Sequence, residues 1–222
     1  MNNINIDNIK SNQLFDEYYK FLIEENEKYN LTAITEKDEV FYKHFLDCAK
    51  VLEYIDLSGK VICDVGSGAG FPGIVLKILC PSLKLYIIEP IGKRCNFLNM
   101  LVKRLNLKDV VIINDRAENV KQYRNYFDYV FARAVSNLPM LIELCIPLVK
   151  VSGSFIALKG SNYQEEIDSS MNSLDELKSL VLEIDTYELE DYGLHSIINI
   201  NKKSKTPDKY PRAYAQIKHK PL

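Results

Sequence analysis

No stretch of this 222-residue chain approaches the roughly 20 consecutive apolar residues of a membrane-spanning helix. The N-terminus, Met1-Asn2-Asn3-Ile4-Asn5-Ile6-Asp7, lacks a basic n-region and an apolar h-region. A signal peptide is therefore not expected, and a cytoplasmic location follows. There is no C-x-x-C pair, and the five cysteines, Cys48, Cys63, Cys80, Cys95 and Cys145, are odd in number. That argues against a zinc site and a disulfide framework. Each cysteine sits in an apolar stretch, where a free thiol behaves as a small hydrophobe. Internal repeats and low-complexity segments are absent, and the length suits one sizeable domain with a small appendage.

Acid is also missing, locally. From residue 202 to 222 the basic residues are Lys202, Lys203, Lys205, Lys209, Arg212, Lys218 and Lys220, and the only acid is Asp208. The whole chain nevertheless carries −2, so the body before this tail is acidic. A basic segment on an acidic body suggests a face that meets a polyanion, or a solvated tail that only aids solubility.

What is present has a clear order. Residues 1–57 read as a helical extension, with Leu14, Phe15, Tyr18, Tyr19, Leu22 and Ile23 at helical spacing. Thr35, three residues before Asp38, is a candidate helix N-cap. His44 and Asp47 lie one helical turn apart. Two ligands do not make a metal site, so they read as packing or capping groups or as substrate-side residues.

After Gly59 the pattern changes. Short apolar runs at 60–65, 84–89, 109–114, 127–132 and 153–159 alternate with segments that read as helices from near Pro72, Ile91, Glu118 and Asn137. Such alternation predicts a parallel α/β sheet with helices on both faces. A helix over 162–179 and two closing strands, 181–189 and 196–201, follow. The two strands are too close in sequence for a crossover helix, so an antiparallel pair is expected. The core thus spans 58–201 and the basic tail 202–222.

The turn after the first strand carries Gly66, Gly68, Gly70 and Gly73. Glycines there allow a sharp turn and a close approach to a ligand. Gly68-x-Gly70-x-x-Gly73 matches the dinucleotide fingerprint, which leaves an NAD-dependent oxidoreductase as one reading. In that fingerprint, however, the first glycine follows the strand directly. The register that fits a strand ending at Val65 is Asp64-x-Gly66-x-Gly68-x-Gly70, which resembles the first motif of class I methyltransferases. The second strand ends at Glu89, a carboxylate placed to accept ribose hydroxyls. The fourth ends at Arg133, where neither a Pro-Pro-Tyr-type motif nor a Pro-Cys nucleophile follows.

Together, Asp64 to Gly73, Arg116-Ala117-Glu118 and Phe131-Ala132-Arg133-Ala134 resemble the RsmG (GidB) family. So do Asn30-Leu31-Thr32-Ala33-Ile34, His44-Phe45-Leu46-Asp47, Gly92-Lys93-Arg94, Thr206-Pro207 and Tyr210-Pro211-Arg212. The resemblance covers nearly the whole chain. It implies a Rossmann-like sheet and S-adenosylmethionine as cofactor. It also implies transfer of methyl to N7 of a specific guanine in 16S ribosomal RNA, free or in the small subunit, by a monomer without metal or membrane. Carried over by position, it places cofactor contacts at Gly66, Phe71, Ala117, Glu118 and Arg133, beside those expected at Asp64, Gly68, Gly70 and Glu89. Arg133 is the expected catalytic residue. Lys93, Arg94, Lys209, Arg212 and Lys218 are candidates for RNA phosphates, whereas Lys103 and Arg104 suit a solvated helix face. Tyr210 and Tyr214 suit base stacking or packing equally. A non-catalytic RNA-binding module would fit the same fold, but its cofactor-loop residues would then have no use.

Overall fold

The structure, a computed structural model, describes residues 4–222, with Asp191 described in its backbone alone. Met1, Asn2 and Asn3, the start of the stretch that reads as lacking a signal peptide, lie outside the described residues. The strands are β1 (Val61–Val65), β2 (Lys84–Ile88), β3 (Val110–Ile113), β4 (Phe127–Arg133), β5 (Val149–Lys159), β6 (Ser179–Glu188) and β7 (Leu194–Lys202). They form one sheet in the order β3-β2-β1-β4-β5-β7-β6. The first five are parallel; β7 runs antiparallel to both β5 and β6. The strand order reverses between β1 and β4, and open sheets of this kind bind ligands outside the carboxyl ends at that point.

One sheet face carries α6 (Gly73–Leu79), α7 (Gly92–Arg104) and the N-terminal helices. These are α1 (Ile6–Ser11), α2 (Gln13–Tyr29), α3 (Lys37–Val40), α4 (Asp47–Ala49) and α5 (Val51–Tyr54), with a π-helical stretch at Phe41–Leu46 between α3 and α4. Phe15, Tyr18, Phe45 and Phe71 stack into one buried aromatic cluster that joins α2, the π-helical stretch and the glycine turn. The opposite face carries α8 (Leu138–Cys145), α9 (Tyr163–Asp168), α10 (Met171–Glu176) and α11 (Tyr214–His219).

Three local expectations are corrected. Thr35 is not the cap of α3: Glu36 holds that position without a side-chain bond, and the Thr35 carbonyl accepts from the Tyr19 hydroxyl instead. No helix follows Glu118; the segment makes a 3-10 turn at Lys121–Tyr123. Asp115 draws the backbone N–H of Arg116 and the side chain of Asn119 into a local turn there, the usual competition of short polar side chains with helix formation. The helix expected over 162–179 is split into α9 and α10, where the Ser169 and Ser170 hydroxyls both donate back to the Glu166 carbonyl.

The basic tail folds onto the core. Every residue of α8 is buried, including Glu143. A helix apolar all round packs on both sides, and its one charge needs a buried partner. Arg212 supplies it: Nε and Nη2 reach the Glu143 carboxylate at 2.8 and 2.6 Å, and the Arg212 backbone N–H adds a third bond at 2.9 Å. Arg124 donates to the carbonyls of Thr206, Pro207 and Tyr210. Lys202 is fully buried, its Nζ held by Asn125 and two carbonyls; burial pushes its pKa down to about 8.

Arg212→Ala strands the Glu143 charge and is expected to cost about 3–5 kcal/mol. Glu143→Leu combined with Arg212→Met should recover most of that loss. Urea unfolding of both variants checks this; an unchanged midpoint for Arg212→Ala would contradict it.

Candidate active site

The turn after β1 is built around two carboxylates. Asp64 is fully buried, and its Oδ2 accepts from the Ser67 hydroxyl at 2.5 Å and the Gly73 N–H at 2.8 Å. Burial raises its pKa to about 6 despite those bonds. Its carboxylate therefore fastens both ends of the glycine turn and does not line a cavity. Glu89, at the end of β2, accepts from the Gly68 N–H at 3.0 Å and the Ile91 N–H at 3.0 Å. Two glycines are fixed by their surroundings. Gly66 has φ 72°, and a Cβ there would lie 2.7 Å from Val135. At Gly70 a Cβ would lie 2.5 Å from the Tyr18 hydroxyl, so Gly70 meets α2, not a ligand.

Two cavities open at the carboxyl ends of β1 and β4. The first, about 210 Å³, is lined by Gly66, Glu89, Arg94, Ala117 and Val135 among others. The second, about 420 Å³, is lined by Lys43, His44, Asp47, Arg133, Lys159 and His195 among others. Ala134 lines both, so they are neighbours at the end of β4. The structure thus brings together Gly66, Glu89 and Ala117, with Arg133 next door. Asp64, Gly68, Gly70, Phe71 and Glu118 do not line the first cavity. Phe71 instead lies in the aromatic cluster, under the Arg133 guanidinium at 5.2 Å.

Arg133 ends β4 and turns toward the N-terminal helices. Its Nη1 donates to Asp47 Oδ2 at 2.7 Å and to the Lys43 carbonyl at 2.9 Å; its Nη2 lies 3.0 Å from His44 Nδ1. Asp47 Oδ1 accepts from the Tyr187 hydroxyl and from His195 Nδ1, both at 2.8 Å. The end of β4 and the paired strands β6 and β7 thus converge on one carboxylate of the N-terminal helices. Burial would raise the Asp47 pKa, but the His195 bond and the Arg133 charge hold it below its ordinary value. Burial, then the Arg133 charge, pushes His44 down to about 4. A neutral His44 suits acceptance from Arg133 at Nδ1, with Nε2 bonded to Thr32 at 3.0 Å. Lys159 is bonded to Glu166 at 2.6 Å, and Glu166 also accepts from the Leu138 N–H.

The sequence reading singled out His44 and Asp47 but missed His195, Tyr187 and Lys159. The one-turn spacing of His44 and Asp47 was the only local signal. Of the basic candidates, Lys93 and Lys218 are exposed, Arg94 is half-buried beside Glu89, and Lys209 pairs with Glu176 at 3.1 Å. Arg212 is turned inward to Glu143. Lys103 is exposed, and Arg104 pairs with Glu17 and Glu24. Four cysteines are buried, Cys80 is half-buried, and all five are free. Among the described residues no group of three or more His, Cys, Asp or Glu side chains is placed to hold a metal ion.

The Asp47 bond raises the His195 pKa above 6.5, against burial. A group raised on folding stabilises fully below its unfolded value and loses that contribution as pH climbs through its folded value. Asp47 is lowered, so its own contribution falls away only in acid. The stability gap between wild type and His195→Asn should therefore be widest below about pH 6.5 and narrow as pH rises above it. Urea unfolding across that range measures the gap; a constant gap would contradict the assignment.

A family model described as "GidB: rRNA small subunit methyltransferase G" matches residues 11–192. Ribosomal RNA small subunit methyltransferase G of Staphylococcus saprophyticus is 48% identical over 217 residues, 96% of this chain and 91% of its own. The protein of the same name from Mycoplasma capricolum is 50% identical over 202 residues, 90% of this chain and 87% of its own. A SAM-dependent methyltransferase from Aquifex aeolicus shares the fold at TM-score 0.56 and 20% identity, over 74% of this chain and 93% of that one. M. jannaschii TYW2, solved in complex with AdoMet, does so at TM-score 0.55 and 14% identity, over 71% and 76%. This chain belongs to the rRNA small subunit methyltransferase G family.

Proposed function

We propose that this chain transfers a methyl group from S-adenosylmethionine to N7 of a guanine in 16S ribosomal RNA. The relatives' name supports small-subunit ribosomal RNA as the substrate. The first cavity fits the adenosine part of the cofactor: Glu89 presents a carboxylate whose two oxygens are already oriented by backbone N–H groups, and Gly66 and Ala117 leave room beside it. When bound, S-adenosylmethionine supplies a methyl group on a positively charged sulfur. The second cavity, reached past Ala134, would take the guanine.

The observation that carries the N7 reading is that every carboxylate lining the second cavity is engaged. Asp47 is held by Arg133, His195 and Tyr187; Glu166 is held by Lys159 and a backbone N–H. His44 is neutral, with both ring nitrogens near partners, and His195, the other imidazole of the lining, is bonded through Nδ1 to Asp47, which favours its protonated form over a free base. An exocyclic amine or a hydroxyl would need a base to take its proton, whereas guanine N7 offers a free lone pair. The residues then act by position, which can supply about 7–11 kcal/mol of the barrier. Arg133 lines the second cavity, and a guanidinium hydrogen not given to Asp47 or the Lys43 carbonyl would donate to O6 of the guanine. Asp47 balances the Arg133 charge, so the cation forming on guanine is not opposed by a bare guanidinium. N7 lies in a groove too deep and narrow to enter in paired RNA, so the target base is unpaired or extruded. Lys93 and Lys218, both exposed, are the freest of the basic candidates for flanking phosphates, with Arg94 and Lys209 each beside a carboxylate, and RNA binding should weaken with salt accordingly.

Arg133→Ala is expected to lower methyl incorporation into under-methylated ribosomal RNA about a hundredfold or more, in protein shown by circular dichroism to be folded. Wild-type turnover in that variant would remove Arg133 from the chemistry.

A further inference from the structure

Tyr214 opens α11, at the end of the segment fastened to the core by Arg212. It lines the first cavity together with Arg116, whose guanidinium carbon lies 4.2 Å from the centre of the Tyr214 ring. Arg116 immediately precedes Ala117, which also lines that cavity. The Tyr214–Arg116 pair therefore joins the chain's last helix to the loop after β3 at the cavity wall.

The segment is held on both sides of Tyr214. Before it stands the three-bond contact of Arg212 with Glu143. After it, Ile217 is fully buried, and the Ser173 hydroxyl donates to the Leu222 carbonyl at 3.0 Å. A ring held this way loses little freedom when a ligand arrives, so its contact energy is not spent on ordering. The remaining wall is mostly aliphatic: Val65, Ile88, Ile91, Val135 and Leu144. Such a surface accepts a flat apolar ring but supplies no aromatic face. Tyr214 is the aromatic side chain in the lining.

We propose that Tyr214, backed by Arg116, is the wall on which the adenine of the cofactor packs, which makes the C-terminal segment part of the cofactor site. This rests on the reading of the first cavity as the adenosine site. Glu89 would hold the ribose on the strand side, and Tyr214 would meet the base on the side of the tail. An aromatic face recognises a base through its π-surface, and the stacked guanidinium holds the Tyr214 ring in place.

The test is calorimetric binding to the full chain, with S-adenosylmethionine and 5′-methylthioadenosine as separate ligands. The second keeps the adenine nucleoside and lacks the amino-acid end. Tyr214→Ala should weaken both by the same factor, about tenfold, and Tyr214→Phe should bind both like wild type. If Tyr214→Ala does not fold, Tyr214→Leu keeps the apolar volume without the π-face and should show the same loss. Wild-type affinity in Tyr214→Ala or Tyr214→Leu would overturn the proposal, and so would a loss confined to S-adenosylmethionine. Failure of the wild-type protein to bind either ligand would instead refute the adenosine site itself.

Discussion

The pairing of Arg133 with Asp47 is the contact on which the rest of the site depends. A guanidinium at the end of a central strand is costly to bury, and removing its partner would cost about 3–5 kcal/mol. The partner comes from the N-terminal helices, so these form one wall of the larger cavity. Asp47 then recruits Tyr187 from β6 and His195 from β7. Two closing strands that extend the sheet on one side of β5 thereby become part of the chamber at the end of β4. One buried carboxylate holds three elements in register.

A similar economy shapes the smaller cavity. Asp64 and Glu89 each bond the glycine turn through one carboxylate oxygen, but with opposite exposure to the ligand space. Asp64 is sealed beneath the turn and fastens Ser67 to Gly73. Glu89 holds Gly68 from the side and still lines the cavity. The turn is thus preformed, and the switch point between β1 and β4 leaves a cavity of about 210 Å³ next to the chamber that holds Arg133.

The sheet was legible because parallel strands buried on both faces are short continuous apolar runs, as in Leu85-Tyr86-Ile87-Ile88, and because glycines mark the first turn. The register of Asp64 against Gly66 likewise matches the observed turn, in which Asp64 bonds Ser67 and Gly73. The segments that sequence misjudged are those where short polar side chains competed with the helix: Asp115 after β3, and Ser169 and Ser170 between α9 and α10. The convergence on Asp47 was not legible, since Tyr187 lies 140 residues away and neither it nor His195 belongs to a local pattern. Charge misled in one respect. The seven basic residues of the tail suggested a polyanion face, yet Lys202 is buried and Arg212 neutralises Glu143. Part of that charge therefore stabilises the fold.

Under the proposed function the chamber presents guanine N7 to the methyl donor with no proton to be removed. The most direct test is nucleoside analysis of 16S ribosomal RNA from a strain lacking this protein, after incubation with the purified chain and methyl-labelled S-adenosylmethionine. Label is expected in 7-methylguanosine at a single position. Label in an exocyclic-amine or ribose-methylated nucleoside, either of which requires a proton to be removed, would contradict it.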